Sequence, residues 1–307
     1  MTVQELAAVQ EQAGATQYRE RARYNTSENP FTFRWPPVPA HKFLVERDRA
    51  FDPGTPTSVI PLDISAQLGT AYPATTPALL ACYVRIRPGE ELRTTFIAGG
   101  EICYVMRGRG ESRNGPDLIV WGAGDVFCFA GGNETRHAAL GEDCLLFVAN
   151  NAPLLALEGL RAPAPGRAVV QTTHWPAEEI ERRFEAVWKR PITDNTTGHA
   201  VNLTTAAMLP NYTTMPSINV GINTLAPGCD QRPHRHNGVA ITLALQGEGV
   251  YSMIEDQRVD WVDGAAQITP ATLLHSHHNR GNKRMRSLVI QDEGLHLYAR
   301  TPGFSFD

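Results

Sequence analysis

The chain has 307 residues, 42% of them hydrophobic and 20% charged, with a formal net charge of −4. That length admits one large domain or two ordinary ones, and the composition is that of a globular protein in water. No basic block supports nucleic-acid binding, no apolar run reaches the length of a membrane span, and no basic stretch followed by an apolar core opens the chain at Met1. The five cysteines (82, 103, 128, 144 and 229) show no paired spacing and read as reduced thiols, so a cytoplasmic location is expected. Cys103 and Cys128 fall in apolar runs and are expected in the core.

Residues 1–74 read as an N-terminal arm. Its Pro30, Phe31, Phe33, Trp35, Pro36, Pro37 and Pro39 give little regular structure, and its aromatics need a surface to bury against, in the same chain or another subunit. Residues 75–160 then read as short strands (79–86, 101–106, 117–121, 126–129, 144–148) with Pro88-Gly89 and Gly108-Arg109-Gly110 as turn signals. Residues 161–210 form a linker. It opens on the break Ala162-Pro-Ala-Pro-Gly166 and carries a helix after Trp175-Pro176, with Ile180, Phe184, Val187 and Trp188 on one apolar face.

Residues 211–307 repeat the strand scheme: 218–225, 239–245, 258–261, 266–269 and 288–291. The halves align internally. Pro88-Gly89 maps to Pro227-Gly228 and Gly108-Arg-Gly110 to Gly247-Glu-Gly249 at an offset of 139, and Trp121 and Gly124 map to Trp261 and Gly264 at 140. Several landmarks at a near-constant offset mark a duplicated unit.

Chemistry concentrates in the second unit. Residues 228–279 hold five of the ten histidines. His234 and His236 are two apart, as are His275 and His277, so on strands each pair projects to one side. Two such pairs make a nitrogen-rich pocket suited to Fe, Zn, Cu, Ni or Mn. His278 has the opposite parity and is expected to face away, as is Arg235.

The segment resembles the cupin barrels. Their first motif, Gly-x5-His-x-His followed by Glu and Gly, is met by Gly228, His234, His236 and Gly247, but Ala240 or Ile241 stands where Glu belongs. The second motif, Gly-x5-Pro-x-Gly-x2-His-x3-Asn, is met by Gly264, Pro270, His275 and Asn279, with Thr272 replacing its second Gly. The resemblance implies an all-β dominated fold: two tandem cupin (jelly-roll) β-barrels, a few short helices and the N-terminal arm. On this reading 75–160 is a degenerate barrel without metal, and 211–307 is the barrel with the metal site. The offset puts Thr95, Ile97 and Thr135 where the second barrel has His234, His236 and His275. Glu101 stands where the first motif expects Glu.

A two-barrel chain with a Glu-less first motif and a His-x-His-His-Asn close is similar to the gentisate and salicylate ring-cleaving dioxygenases, three-histidine Fe(II) enzymes. In the better-known members of that group the triad lies in the first barrel. The resemblance implies metal ligands His234, His236 and His275, with iron or alternatively Mn, Ni or Zn. It also implies O2 and a small hydroxylated aromatic or related chelating substrate. By parity His277 is the catalytic candidate, with Arg232, Thr242 and Gln291 as substrate-binding candidates, Arg232 as a carboxylate clamp. The alternatives are a metal-dependent cupin hydrolase, isomerase or decarboxylase of a small polar metabolite, or a non-catalytic ligand-binding bicupin. A homo-oligomer, dimer or tetramer, is expected, with no nucleic-acid or membrane partner.

Overall fold

The duplication seen in the sequence recurs as a duplication of hydrogen-bonded strands. The computed structural model describes residues 17–24, 36–192, 198–301 and 303–306, so Phe31, Phe33 and Trp35 of the expected arm lie outside the described residues. The chain divides into Met1–Pro37, whose described part contains helix α1 (Gln17–Arg21), and Val38–Asp307, which holds everything below.

The second unit opens with helices α2 (Leu44–Phe51) and α3 (Ser65–Leu68), which flank strand β1 (Ser58–Pro61). Next come β2 (Leu80–Ile86), β3 (Glu91–Thr94), β4 (Gly100–Arg107), β5 (Gly110–Asn114) and β6 (Asp117–Trp121). The first half closes with β7 (Val126–Ala130), β8 (Thr135–Ala139) and β9 (Cys144–Asn150). They form two antiparallel sheets, ordered β1-β2-β9-β4-β7 and β3-β8-β5-β6. Helix α4 (Ala152–Glu158) follows, and strand β10 (Thr173–Trp175) adds to the β7 edge. Helix α5 (Ala177–Trp188) comes next, burying Ile180 and Phe184 as the apolar periodicity predicts.

The later strands are β11 (His199–Leu203), β12 (Asn219–Leu225), β13 (His234–His236), β14 (Ala240–Gln246) and β15 (Val250–Ile254). After them come β16 (Gln257–Asp260), β17 (Ala266–Thr269), β18 (His275–Asn279) and β19 (Met285–Gln291). Their sheets run β11-β12-β19-β14-β17 and β16-β15-β18-β13, the order of the first half strand for strand. The fold is thus two tandem barrels of antiparallel sheets. Strands β1, β10 and β11 join these sheets from segments that the sequence reads as arm and linker. After helix α6 (Gly294–Tyr298), strand β20 (Phe304–Phe306) pairs with β13. Among the described residues no helix is long and apolar enough to cross a membrane.

Side-chain alternation decides what each barrel encloses. Ile241 and Leu243 of β14 are fully buried in one apolar cluster with Ile222, Leu288, Tyr83 and Phe147, the last two from the first barrel. This is the face where the barrels meet. Burying an aliphatic side chain of that size contributes about 2 kcal/mol. Tyr83 pins the contact: its hydroxyl donates to the Gly264 carbonyl at 2.7 Å and accepts the Ala266 N–H at 3.2 Å. Cys103 and Cys128 are both fully buried, as expected. The alternate residues of β14, Ala240 and Thr242, face into the second barrel.

Candidate metal centre and its cavity

Two turns hold the histidine strands in register. Gly228, at φ +73°, lets the chain turn ahead of β13, and its N–H donates to the Asn279 carbonyl at 2.9 Å. The Asn279 amide, fully buried, donates to the Leu225 and Lys283 carbonyls at 3.0 and 2.9 Å. The motif asparagine therefore ties two loops together. Thr272, standing where the motif has glycine, keeps the glycine conformation at φ +65° and donates its N–H to the His236 carbonyl at 2.7 Å.

His234 then sits directly opposite His275 across the β13–β18 pair, and His236 follows two residues on, on the same side. The His275 ring centroid lies 4.2 Å from that of His234 and 4.5 Å from that of His236. One ring nitrogen from each of the three lies within 4.8 Å of the others. Backbone carbonyls decide which nitrogen is available. The Nδ1–H of His234, His236 and His275 donates to the carbonyls of Arg232, Gly238 and Leu273, at 3.0, 2.6 and 3.0 Å. Each Nε2 keeps its lone pair, the arrangement found in metal-ligating histidines. Burial holds the rings neutral. It pushes the His234 pKa down to about 4 and that of His275 to about 2, where the neighbouring rings add to the effect, and it also lowers His236. No carboxylate belongs to the cluster, and Ala240 occupies the wall where the motif has Glu. Three neutral nitrogens facing one point fit a divalent first-row metal.

His277 lines the same cavity but is built differently. Its Nδ1 is 2.9 Å from the Ser252 hydroxyl, which also accepts the Trp261 Nε1–H at 2.8 Å and the Gln267 amide at 3.0 Å. With both lone pairs of Ser252 engaged, its single proton goes to His277 Nδ1. The His277 proton then resides on Nε2. Burial lowers its pKa to about 3, so the ring stays neutral and offers an N–H donor rather than a fourth ligand.

The first barrel repeats this frame. Trp121 Nε1–H donates to Ser112 at 2.8 Å, and Ser112 meets His137 Nδ1 at 2.7 Å. It lacks the rest of the site. Thr94 pairs with Thr135 where His234 pairs with His275, so the register makes Thr94, not Thr95, the counterpart of His234. A shift of one residue in that loop separates them. Glu101 takes the place of Ala240: it pairs with Asn150 as Ala240 pairs with Gln291. The Thr135 hydroxyl donates to Glu101, and burial raises the Glu101 pKa to about 7.

The cavity in the second barrel has a volume of about 240 Å³, at the small end for ligand sites. Thr242 and Gln291 are on its wall, as parity predicts. Arg232 is not. It precedes β13, where alternation does not apply; its side chain is exposed, with the guanidinium 4.2 Å from the centre of the Phe306 ring. His278 faces away from the cavity, stacked on Tyr251 and 2.7 Å from Asp230. Arg235 also faces away, donating to the Thr272 carbonyl.

Several wall residues escaped the sequence reading. Asn219, Gly221 and Asn223 alternate along β12, a polar face inside an apolar strand that could have been noticed. Gly221 makes room for the Asn202 amide, whose Oδ1 would lie 2.8 Å from a Cβ there. Glu293 and Phe304 carried no local signal. Phe304, brought by β20, stacks on His234 at 5.0 Å.

Comparison with known proteins agrees with this architecture. The cupin-domain family profile matches residues 221–291. A gentisate 1,2-dioxygenase from Ralstonia sp. is 30% identical over 82 residues, which is 27% of this chain and 23% of that protein. The matched part is thus under a quarter of that relative's length. The salicylate 1,2-dioxygenase from Pseudaminobacter salicylatoxidans superposes with a TM-score of 0.75 over 100% of this chain and 98% of that one, at 13% identity. An oxalate decarboxylase mutant from Bacillus subtilis gives 0.52 over 82% and 75%, at 14% identity. Residues 221–291 therefore match the cupin domain, and the chain has the bicupin fold. Within that class it resembles the gentisate and salicylate dioxygenases, with its histidine cluster in the second barrel.

Proposed function

We propose that the protein is a mononuclear metal-dependent oxygenase. On this reading Fe(II) is held by His234, His236 and His275, and O2 is used to cleave a small hydroxylated aromatic or similarly chelating substrate. The observation that carries the reading is the clustering of three neutral imidazoles on a cavity, with one ring nitrogen of each within 4.8 Å of the others and each Nδ1 tied to a backbone carbonyl, which leaves Nε2 for a metal. Bound there without a carboxylate ligand, iron would keep its full charge and supply both Lewis acidity and one-electron chemistry toward O2.

The chain's own residues bind and orient. Ala240 and Thr242 are small and leave room for a ring beside the three histidines. His277 Nε2–H is a fixed donor for an oxygen of the substrate, and Ser252, Trp261 and Gln267 prevent the other tautomer. Phe304 stacks on His234 and covers one face of its ring. The Gln291 amide offers both a donor and an acceptor to a substrate oxygen.

The test is metal analysis of the purified protein together with oxygen uptake on hydroxylated aromatics. One iron per chain and uptake that stops in His234→Ala, His236→Ala and His275→Ala are expected. Metal retained in full by any of the three variants would refute the ligand set. Metal uptake without oxygen consumption would refute the oxygenase and point to non-oxidative cupin chemistry.

A further inference from the structure

The cavity wall away from the histidine cluster has a chemistry that a carboxylate-binding site would not need. Among the described residues, no lysine or arginine lines it. Its polar groups include the amides of Asn202, Asn219, Asn223, Gln231 and Gln291, the hydroxyls of Thr242 and Thr269, and the carboxyl group of Glu293. Two of the amides present buried oxygens with no donor: Asn219 Oδ1 and Gln231 Oε1. The hydroxyl oxygen of Thr269, on the same wall, is also unpartnered. The orientation of Asn219 follows from its neighbour. Its Nδ2 reaches Glu293 Oε2 at 3.5 Å, and the flipped amide would set two acceptors face to face. The unpartnered oxygens face the cavity, so a ligand that displaces water from them must bring N–H or O–H groups in its place.

The charge balance points the same way. Three neutral imidazoles and one wall carboxyl leave the protein side of the cavity without positive charge. A ligand carboxylate placed against Glu293 and Asn219 Oδ1 would lose its water, face acceptors, and find no positive charge among the lining side chains to offset that loss. We infer that the wall formed by Glu293 and Asn219 selects a substrate whose group remote from the metal is an uncharged or cationic hydrogen-bond donor. Hydroxyl, carboxamide and ammonium groups fit; a carboxylate does not. Glu293 and Asn219 are the specificity-determining residues. This rests on the oxygenase reading for where the substrate's chelating end lies, and it narrows the substrate class within that reading. The remote group is an amine, amide or alcohol; an acid is excluded only where its carboxylate lies away from the chelating end.

The experiment uses three probes with one chelating end, so that attraction to the metal is common to all: 3,4-dihydroxybenzylamine, 3,4-dihydroxybenzamide and 3,4-dihydroxybenzoate. Binding is measured by calorimetry on the full chain loaded with Zn(II), which does not turn over with O2. The amine and the amide are expected to bind at least tenfold more tightly than the carboxylate. In Glu293→Gln the amine and the carboxylate should come within threefold of each other. Asn219→Asp, which adds a second acidic group to the same wall, should widen the preference for the amine. Equal or tighter binding of the carboxylate by the wild type overturns the inference, and so does an unchanged ratio in a folded variant at either position. Zinc content is measured on the same samples. A chain that takes up no zinc refutes the metal site alone, because saturation-transfer NMR on the metal-free protein still reads the ratio among the probes.

Discussion

Glu101 offers a test of what the first barrel is for. Its carboxyl group is buried, accepts one hydrogen bond from Thr135, and has its pKa raised by desolvation from 4.5 to about 7. In the unfolded chain it ionises near 4.5. Below that pH both states are protonated and the group is neutral with respect to stability. As pH rises from 4.5 through 7, the unfolded chain ionises first, so stability falls; above 7 the loss is complete. Moving a carboxyl from 4.5 to about 7 corresponds to about 3 kcal/mol, at 1.36 kcal/mol for each tenfold change in proton affinity. Glu101→Gln keeps the oxygen that accepts from Thr135 and removes the charge. At pH 8.5 the variant should therefore be more stable than the wild type by up to about 3 kcal/mol, with the difference vanishing well below pH 4.5. Urea unfolding followed by tryptophan fluorescence at several pH values reads this directly. Iron content and oxygen uptake should not change. A variant less stable at pH 8.5, or one whose difference from wild type is flat across pH, would refute the desolvation argument. Lost iron would show that the first barrel is part of the working site.

Two further predictions follow from the hydrogen bonds. Ser252→Ala leaves the Trp261 and Gln267 donors unpaired and lets His277 take the other tautomer, so it should cost about 1–3 kcal/mol and lower oxygen uptake. Ser112→Ala, its counterpart in the first barrel, should cost a similar amount in urea and leave uptake intact; equal catalytic loss in both would remove the special role of His277. Thr272→Gly relieves a β-branched residue held at φ +65° and should stabilise the protein by about 1 kcal/mol while iron content stays constant. A lower urea midpoint would mean that the Thr272 side chain contributes packing that outweighs its backbone strain.

The sequence by itself determined the duplication of a strand-rich unit, because the repeated Pro-Gly, Gly-x-Gly and Trp landmarks are local properties, and the resemblance of its motifs to the cupins implied that each unit is a barrel. It also placed His234, His236, His275 and His277 on one side of their strands, since each pair is separated by two residues. Parity extended correctly to Thr242 and Gln291 on regular strands. It failed at Arg232, which stands before β13 begins and follows no alternation. Only the tertiary structure decided what those faces enclose. Alternation says which way a side chain points and is silent on what stands opposite, so the amides of β11 and β12 went unremarked. The wall positions of Glu293 and Phe304 depend on where the chain travels after β19, on the short helix α6 and on the pairing of β20 with β13. The tautomer of His277 is likewise a tertiary fact. It is set by three side chains, from β15, from the turn after β16 and from β17, that meet only when the barrel closes.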